Sequence, residues 1–458
     1  MLLRFQVTNH ASLRDEQELS LVASDRHPER AERSVPRSDH RVVPTAAIYG
    51  TNASGKSNVI DAITWMRDAV LSSFRHWDPS GGIPRRPFKL RAGASVVPSE
   101  FVIEFVVDDV RYEFGFAVDD EQVLEEWLYY YPEGRARRLY ERKSGEPDLK
   151  FSRWLTGRRT MIAQLLRPNS LYLSVAAAQG HEQLRRIYGW FRYGLLPATD
   201  LDFADRLQHT VHLYTESSHQ SYATLVMDLL RFADLGVAGL EISEPDEAAE
   251  EMHQRFTQLV RQTLGDKVQI KRDGSQDVRV EHQTDEGKFA LGLADESSGT
   301  RTWIGLVGPV VTTLTSGAVL VVDELDARLH PYLTDALVGI FQRPETNPLG
   351  AQLVFSTHEA SLLGRSARTE LFRDQVWFTE KDPRSLSTRL FPLTEFHVRD
   401  GIENLEKRYL EGRYGAVPFL DDDMLRGVAE ARRDRSTRGA GQREEVAGPT
   451  EEFSSGAA

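Results

Sequence analysis

Eight consecutive residues, Gly50-Thr51-Asn52-Ala53-Ser54-Gly55-Lys56-Ser57, constrain the chain more than any other feature. They satisfy the pattern GxxxxGKS/T in full, which average residue frequencies produce by chance on the order of a few per cent of the time in a chain this long. Their flanks have the right character. Val42 to Tyr49 reads as a short apolar strand, and Ser57 to Val70 carries Val59, Ile60, Ile63, Met66 and Val70 at helical spacing. Strand, glycine-rich loop and helix in that order make a phosphate cradle: the glycines let backbone N–H groups turn toward phosphate oxygens, and the helix N-terminus adds positive potential. Lys56 is then placed to reach the β- and γ-phosphates and Ser57 to hold Mg²⁺. The expectation is an α/β P-loop NTPase. ATP is the default nucleotide, because no NKxD guanine-reading motif lies on a predicted strand.

A second element supports the first. Ala318-Val319-Leu320-Val321-Val322-Asp323-Glu324 is an apolar run of buried-strand length that ends in two carboxylates. Alone, such a pair reads as a solvated strand end. Beside an intact phosphate loop, Asp323 is placed to hold Mg²⁺, and Glu324, just beyond the strand, to polarise an attacking water as general base. Three further segments lie at telling distances. Glu296-Ser297-Ser298-Gly299-Thr300-Arg301 opens an apolar helix, with Ser297 standing 26 residues before Asp323. Leu325-Asp326-Ala327-Arg328-Leu329-His330-Pro331 follows the two acids directly, and Gln352-Leu353-Val354-Phe355-Ser356-Thr357-His358 is a strand ending in a histidine 34 residues after Glu324. In isolation the first of these is a helix N-cap and the last a structural histidine.

The five motifs in this order resemble ABC-type ATPases. That resemblance implies an ATPase head with a β-lobe and an inserted helix-rich subdomain, and a composite site shared by two copies. Ser297 and Gly299 would then present a hydroxyl, a backbone N–H and a helix N-terminus to the γ-phosphate bound by the second copy. Asp326, in the position of the D-loop, would contact that copy, and His358 would be the switch histidine at the γ-phosphate. Glu296, Ser298 and Thr300 depart from the usual LSGGQ residues. No glutamine lies between Ser57 and Gln122 to serve as a Q-loop, and Pro87-Phe88-Lys89-Leu90 is the segment in its place.

Four further strings, EEWLYYYPEGRARRLYER, LYLSVAAA, DQVWFTEKD and ENLEKRYLEGRYGAVPFL, resemble the AAA-type, AbiEii-like bacterial defence ATPases of the RloA and AbiL kind, related to the ATPase part of OLD-family proteins. The likeness implies Mg²⁺-dependent ATP hydrolysis, self-association into a dimer or higher oligomer, and control of a separately encoded effector in an antiphage, abortive-infection-like system. Only 100 residues follow His358, too few for the Toprim nuclease domain of OLD relatives beside a polar tail.

The expected organisation is an N-terminal part of the head over 1–150, with the phosphate loop and β-lobe, and a helix-rich insert over 151–265. A C-terminal part of the head follows over 266–422, and a disordered, Gly/Ser-rich charged tail over 423–458. Asp421-Asp422-Asp423 reads as a solvated acidic turn. With no cysteine, the chain has no disulfide framework or thiolate metal site, which fits a cytoplasmic location. Trp303 to Val322 is uncharged, but its Pro309 and three glycines read as a buried helix, a turn at Thr315-Ser316-Gly317 and a strand, so no membrane span is expected. A net charge of −13 opposes non-specific adhesion to nucleic acid. Basic clusters at Arg85-Arg86, Arg135 to Arg142 and Arg158-Arg159 keep open an alternative, a DNA-binding repair ATPase of the RecF or SMC type. A transporter subunit fits poorly, since Glu296 stands 239 positions after Ser57 and a large insert lies between them.

Overall fold

Period-two burial at the amino terminus sets the first layer. In β1 (Leu2–Thr8) Leu3, Phe5 and Val7 point inward while Arg4 and Gln6 are half-exposed, the pattern of a strand with one face on a core. It pairs antiparallel with β2 (Gln17–Ser20). The charged stretch that follows is mostly loop among the described residues and carries the two-residue pair β3 (Arg33–Ser34) and β4 (Arg41–Val42). β5 (Thr45–Gly50) is buried throughout and leads through the phosphate loop into α1 (Lys56–Ser72), which buries Val59, Ile60, Ile63, Met66 and Val70. A meander then runs through β6 (Ser99–Val107), β7 (Val110–Val118), β8 (Val123–Tyr131), β9 (Arg137–Lys143) and β10 (Lys150–Phe151). Asp108 and Asp109 turn β6 into β7 with φ of 49° and 59°, as a two-residue hairpin matched to strand twist requires. The resulting antiparallel sheet has the order β10-β9-β8-β7-β6-β1-β2.

The chain continues through α2 (Arg159–Ala163), α3 (Tyr172–Ala178), α4 (Glu182–Gly189), a π turn at Trp190–Gly194 and β11 (Leu195–Ala198). After α5 (Phe203–Thr215) and α6 (Gln220–Phe232), β12 (Val237–Ser243), β13 (Asp277–Thr284) and β14 (Gly287–Gly292) form a small antiparallel sheet. Then come α7 (Ser298–Ser316), β15 (Val319–Val322), α8 (Pro331–Gln342), β16 (Gln352–Ser356), β17 (Val376–Lys381), β18 (Thr388–Pro392) and α9 (Leu405–Leu410). The second large sheet has the order β11-β15-β16-β5-β17-β18, parallel except for the last pair. The architecture is α/β, a mostly parallel sheet beside an antiparallel β-lobe. The structure, a computed structural model, describes residues 1–27, 29–145, 149–199, 202–215, 220–243, 277–364, 367–398 and 404–418, and Met1–Ala416 form one compact unit.

Two local readings change. Leu195–Ala198, inside the span expected to be helical, is a strand of the head sheet, paired in parallel with β15. Its four residues, LLPA, show no period of their own, and the register comes from the neighbouring strand. The expected turn at Thr315-Ser316-Gly317 is the end of a longer helix: α7 runs to Ser316 and stops at Gly317, whose φ of 66° is the left-handed cap. Residues 244–265 of the expected helix-rich insert, Asp421-Asp422-Asp423 and the tail over 423–458 lie outside the described residues.

Two polar devices fix the layers around the site. Glu126 on β8, fully buried, accepts from Tyr140 Oη at 2.8 Å and from the N–H groups of Tyr172 and Leu173 at 2.7 and 3.1 Å, joining the β-lobe to the start of α3. Burial pushes its pKa up, against the attraction of Arg142. On α7, the Thr210 hydroxyl from α5 stands in for a turn of helix. It donates to the Ile304 carbonyl at 2.8 Å and accepts the Gly308 N–H at 2.9 Å, replacing the bond those two groups would otherwise share, next to Pro309. Gly308 has no side chain to block this approach.

Candidate nucleotide-binding site

Three adjacent parallel strands, in the order β15-β16-β5, end at the same edge of the sheet, where open α/β sheets place their ligands. β5 delivers the phosphate loop, β15 the acids Asp323 and Glu324, and β16 the residues Ser356, Thr357 and His358. Motifs some 300 residues apart in sequence are thereby neighbours.

The loop is held open from behind. Gly50 ends β5; Thr51, Asn52 and Ala53 form the outer rim, Ala53 at φ 62°; Ser54 and Gly55 are buried against the opposite wall. Gly55 caps α1 at φ 111°, and any Cβ there would overlap the side chain of Thr388. Ser54 Oγ meets Thr379 Oγ1 at 2.6 Å, and Thr388 Oγ1 donates to the Ser54 carbonyl at 2.7 Å. Ser12 completes the brace, with its Oγ 2.6 Å from Thr388 Oγ1 and accepting from Asn58 Nδ2 at 2.6 Å. Sequence reasoning missed Ser12, Thr379 and Thr388. They come from the β1–β2 connection, β17 and β18, far from the loop in sequence, and nothing in their local pattern marks them.

Lys56 Nζ lies inside the cradle, donating to the carbonyls of Gly50 and Thr51 at 2.9 and 3.1 Å. Burial lowers its pKa, while Glu324, Asp323 and Asp326 pull it upward. Ser57, exposed at the start of α1, and Asp323 line a common cavity of about 1040 Å³. Asp323 is oriented by Ser356, whose hydroxyl donates to Oδ1 at 2.6 Å and accepts the Glu324 N–H at 2.7 Å. Glu324 takes φ 51°, uncommon for a residue with a side chain, and its carboxylate is exposed. Ser356 is a further residue to which the sequence reading assigned no role.

Asp326 has a partner within its own chain: its carboxylate accepts the His358 N–H at 3.2 and 3.3 Å. His358 is exposed as a residue, but partial burial of its imidazole, and next Lys56, lower its pKa against the pull of Asp326, Glu324 and Asp323. Ser297 and Gly299 lie elsewhere. Ser297 caps α7, accepting the Thr300 N–H at 3.1 Å, and Gly299 packs so closely on Arg328 that a Cβ would stand 2.7 Å from its carbonyl oxygen. Among the described residues, neither is hydrogen-bonded to residues 50–57. In the region expected to replace a Q-loop, Pro84 and Arg86 line the cavity of Ser57 and Asp323. Pro87 to Leu90 instead line a smaller cavity, of about 340 Å³, with Ser12 and Asn58.

The family model described as "AAA domain, putative AbiEii toxin, Type IV TA system" matches residues 46–364, more than two thirds of the chain and all of the motifs above. The chain belongs to this family. The AbiEii-like AAA domain thus spans the phosphate loop, both acids and His358, and the protein is a P-loop ATPase by family. Among solved structures it is similar to the Smc head bound to the C-terminal winged-helix domain of ScpA, at 14% identity and a TM-score of 0.39, over 85% of this chain and 97% of that one. It is also similar to the Smc head domain of Pyrococcus furiosus with an extended coiled coil, bound to the C-terminal domain of ScpA, at 13% identity, TM-score 0.36, 85% and 96% coverage. A third is the Smc head domain of Pyrococcus yayanosii with a coiled coil and joint, at 12% identity, TM-score 0.35, 90% and 99% coverage. No curated protein matches the chain. Among the described residues no helix of the AbiEii-like chain is long and apolar enough to cross a membrane.

Proposed function

We propose that this protein binds ATP with Mg²⁺ at Gly50 to Ser57 and hydrolyses it at a site completed by a second copy. The observation that carries the reading is the joint placement of Lys56, Asp323, Glu324 and His358 at the ends of three adjacent strands, with Ser356 orienting both acids. Ser57 and Asp323 offer two oxygen ligands on one cavity, a donor set suited to Mg²⁺. The metal, when bound, neutralises charge building on the phosphates.

The chain's own residues supply the rest. Backbone N–H groups of the loop and the start of α1 hold the phosphates, and the Lys56 ammonium exchanges its two carbonyl partners for phosphate oxygens. Glu324 accepts a proton from the attacking water, and neutral His358 donates a hydrogen bond to the γ-phosphate. Ser297 and Gly299, at the N-terminus of α7, and the loop at Asp326 face the γ-phosphate of the second copy. Steady-state ATP hydrolysis by the wild type, Lys56→Ala and Glu324→Gln tests this. Loss of nucleotide binding in the first variant and retention in the second support it, and equal behaviour of the two opposes it.

We also infer that ATP binding and hydrolysis set the state of a homodimer or higher oligomer that holds or releases a separately encoded effector in antiphage defence, as the family's toxin description suggests. Phage plating with the gene pair intact and with Glu324→Gln tests that part. The DNA-binding alternative draws less support, because most of its arginines have partners in the protein. Arg85 binds Asp120 at 2.6 Å, Arg86 binds Asp61 at 2.6 Å, Arg138 binds Glu141 at 2.7 Å, and Arg142 donates to the carbonyls of Ser170, Arg167 and Pro168.

A further inference from the structure

Glu296 stands where the usual LSGGQ loop has its leucine, directly before Ser297, and its side chain is only 6% exposed. A carboxylate leaves water at a tolerable cost only where it is paired. Among the described residues this one has a single hydrogen-bond partner, His282 of β13, whose Nε2 donates to Oε1 at 2.7 Å. The other ring nitrogen, Nδ1, lies 3.0 Å from the carbonyl oxygen of Gly236, which turns the chain at φ 71° just before β12. His282 is thus held between the α6–β12 turn and the short segment that leads from β14 into α7.

The loop at Ser297 has a second support on its other side. Gly299 packs on the carbonyl oxygen of Arg328, in the segment that follows Glu324 and Asp326. Backbone meets backbone there, whereas the support from the small sheet is one contact between two side chains. Neither His282 nor Glu296 lines the cavity of Ser57 and Asp323 or the smaller one beside Ser12 and Asn58. A change at residue 282 therefore reaches the loop at Ser297 without touching the phosphate loop or the two acids of its own chain.

We propose that His282 is a positioning residue for hydrolysis at the shared site. Through Glu296 it sets Ser297 and the N-terminus of α7 where they meet the γ-phosphate held by the second copy. The inference rests on the reading that two copies complete each site, and it gives the small sheet β12-β13-β14 a part in their closure.

The test combines steady-state ATP hydrolysis in the otherwise wild-type chain with light scattering against ATP concentration in the Glu324→Gln background, and ADP binding by every variant. His282→Asn and Glu296→Ala are each expected to lower kcat, and to raise the ATP concentration at half-maximal pairing, by at least about tenfold. The double variant loses no more than either single one, because both break the same contact. His282→Gln, whose amide nitrogen reaches the place of Nε2, restores both readouts to within a few fold of the parent. ADP affinity is unchanged throughout, since residues 50–57 of one copy hold ADP.

Single variants equal to the parent, additive losses in the double variant, or equal loss in His282→Asn and His282→Gln overturn the proposal. A Glu324→Gln parent that keeps its mass with ATP removes the two-copy reading and this inference together. A parent that pairs, beside variants that pair equally well, removes this inference alone. Loss of ADP affinity marks a misfolded variant and leaves the decision to the other single variant; misfolding of both shows a purely structural contact and also overturns the proposal.

Discussion

Ser356 Oγ donates to Asp323 Oδ1 at 2.6 Å while accepting the backbone N–H of Glu324 at 2.7 Å, so one hydroxyl orients the residue assigned to the metal and the residue assigned to the water. Removing it leaves Asp323 free to rotate and the Glu324 N–H without its partner. Groups that orient a ligand in this way are typically worth about 10- to 100-fold in activity. Ser356→Ala is therefore expected to lower kcat for ATP hydrolysis by about that factor, with ATP affinity changed by only a few fold. Steady-state kinetics beside equilibrium nucleotide binding separates the two, and an unchanged kcat would remove Ser356 from the account.

Glu324 occupies a left-handed backbone conformation at φ 51°, which costs a residue with a Cβ about 1–2 kcal/mol. Glycine relieves that strain and loses part of the gain to its greater freedom in the unfolded chain. Glu324→Gly is expected to raise the thermal midpoint of the nucleotide-free protein slightly while abolishing hydrolysis. A lowered midpoint would mean that the conformation is not strained.

The phosphate loop is braced by hydroxyls from β17, β18 and the β1–β2 connection. Thr388→Val keeps the shape of the side chain but leaves the Ser54 carbonyl without its donor, a loss of about 1–3 kcal/mol for a buried group. Urea denaturation is expected to show that destabilisation, and ADP titration a weakened Kd. A variant equal to the wild type in both measurements would show that the brace is dispensable.

What the sequence made legible was whatever is continuous along the chain. Gly50 to Ser57 and Val319 to Glu324 each encode strand, turn and chemistry in one run of residues, and both stand at the sheet edge where the pattern places them. What escaped depends on contacts across hundreds of residues. β11 is a strand because β15 lies beside it, and Ser12, Thr379 and Thr388 matter because the tertiary fold brings them behind Ser54. β9 is rich in Arg, Glu and Lys, composition that usually marks a loop, yet Leu139 and Tyr140 bury fully. Asp326, assigned from resemblance to an intermolecular contact, also fastens the His358 backbone within one chain.

His358, His181 and His209 all have pKa values lowered from 6.5, each chiefly by burial. In such a case the unfolded chain binds protons first as the pH drops. Stability is full above pH 6.5 and declines as the pH falls through the lower folded values. The thermal midpoint is expected to fall between about pH 7.5 and pH 5, and His358→Asn to flatten part of that slope. A slope identical in the variant would show that His358 does not contribute to it.

The central claim is that nucleotide closes two copies over a shared site and that Glu324 opens it by hydrolysis. Light scattering of the Glu324→Gln protein with and without ATP and Mg²⁺ tests this most directly. The account predicts that particle mass doubles with ATP in this variant, returns to the starting value as the wild type consumes its ATP, and never changes in Lys56→Ala. A Glu324→Gln protein that binds ATP and keeps the same mass would contradict it.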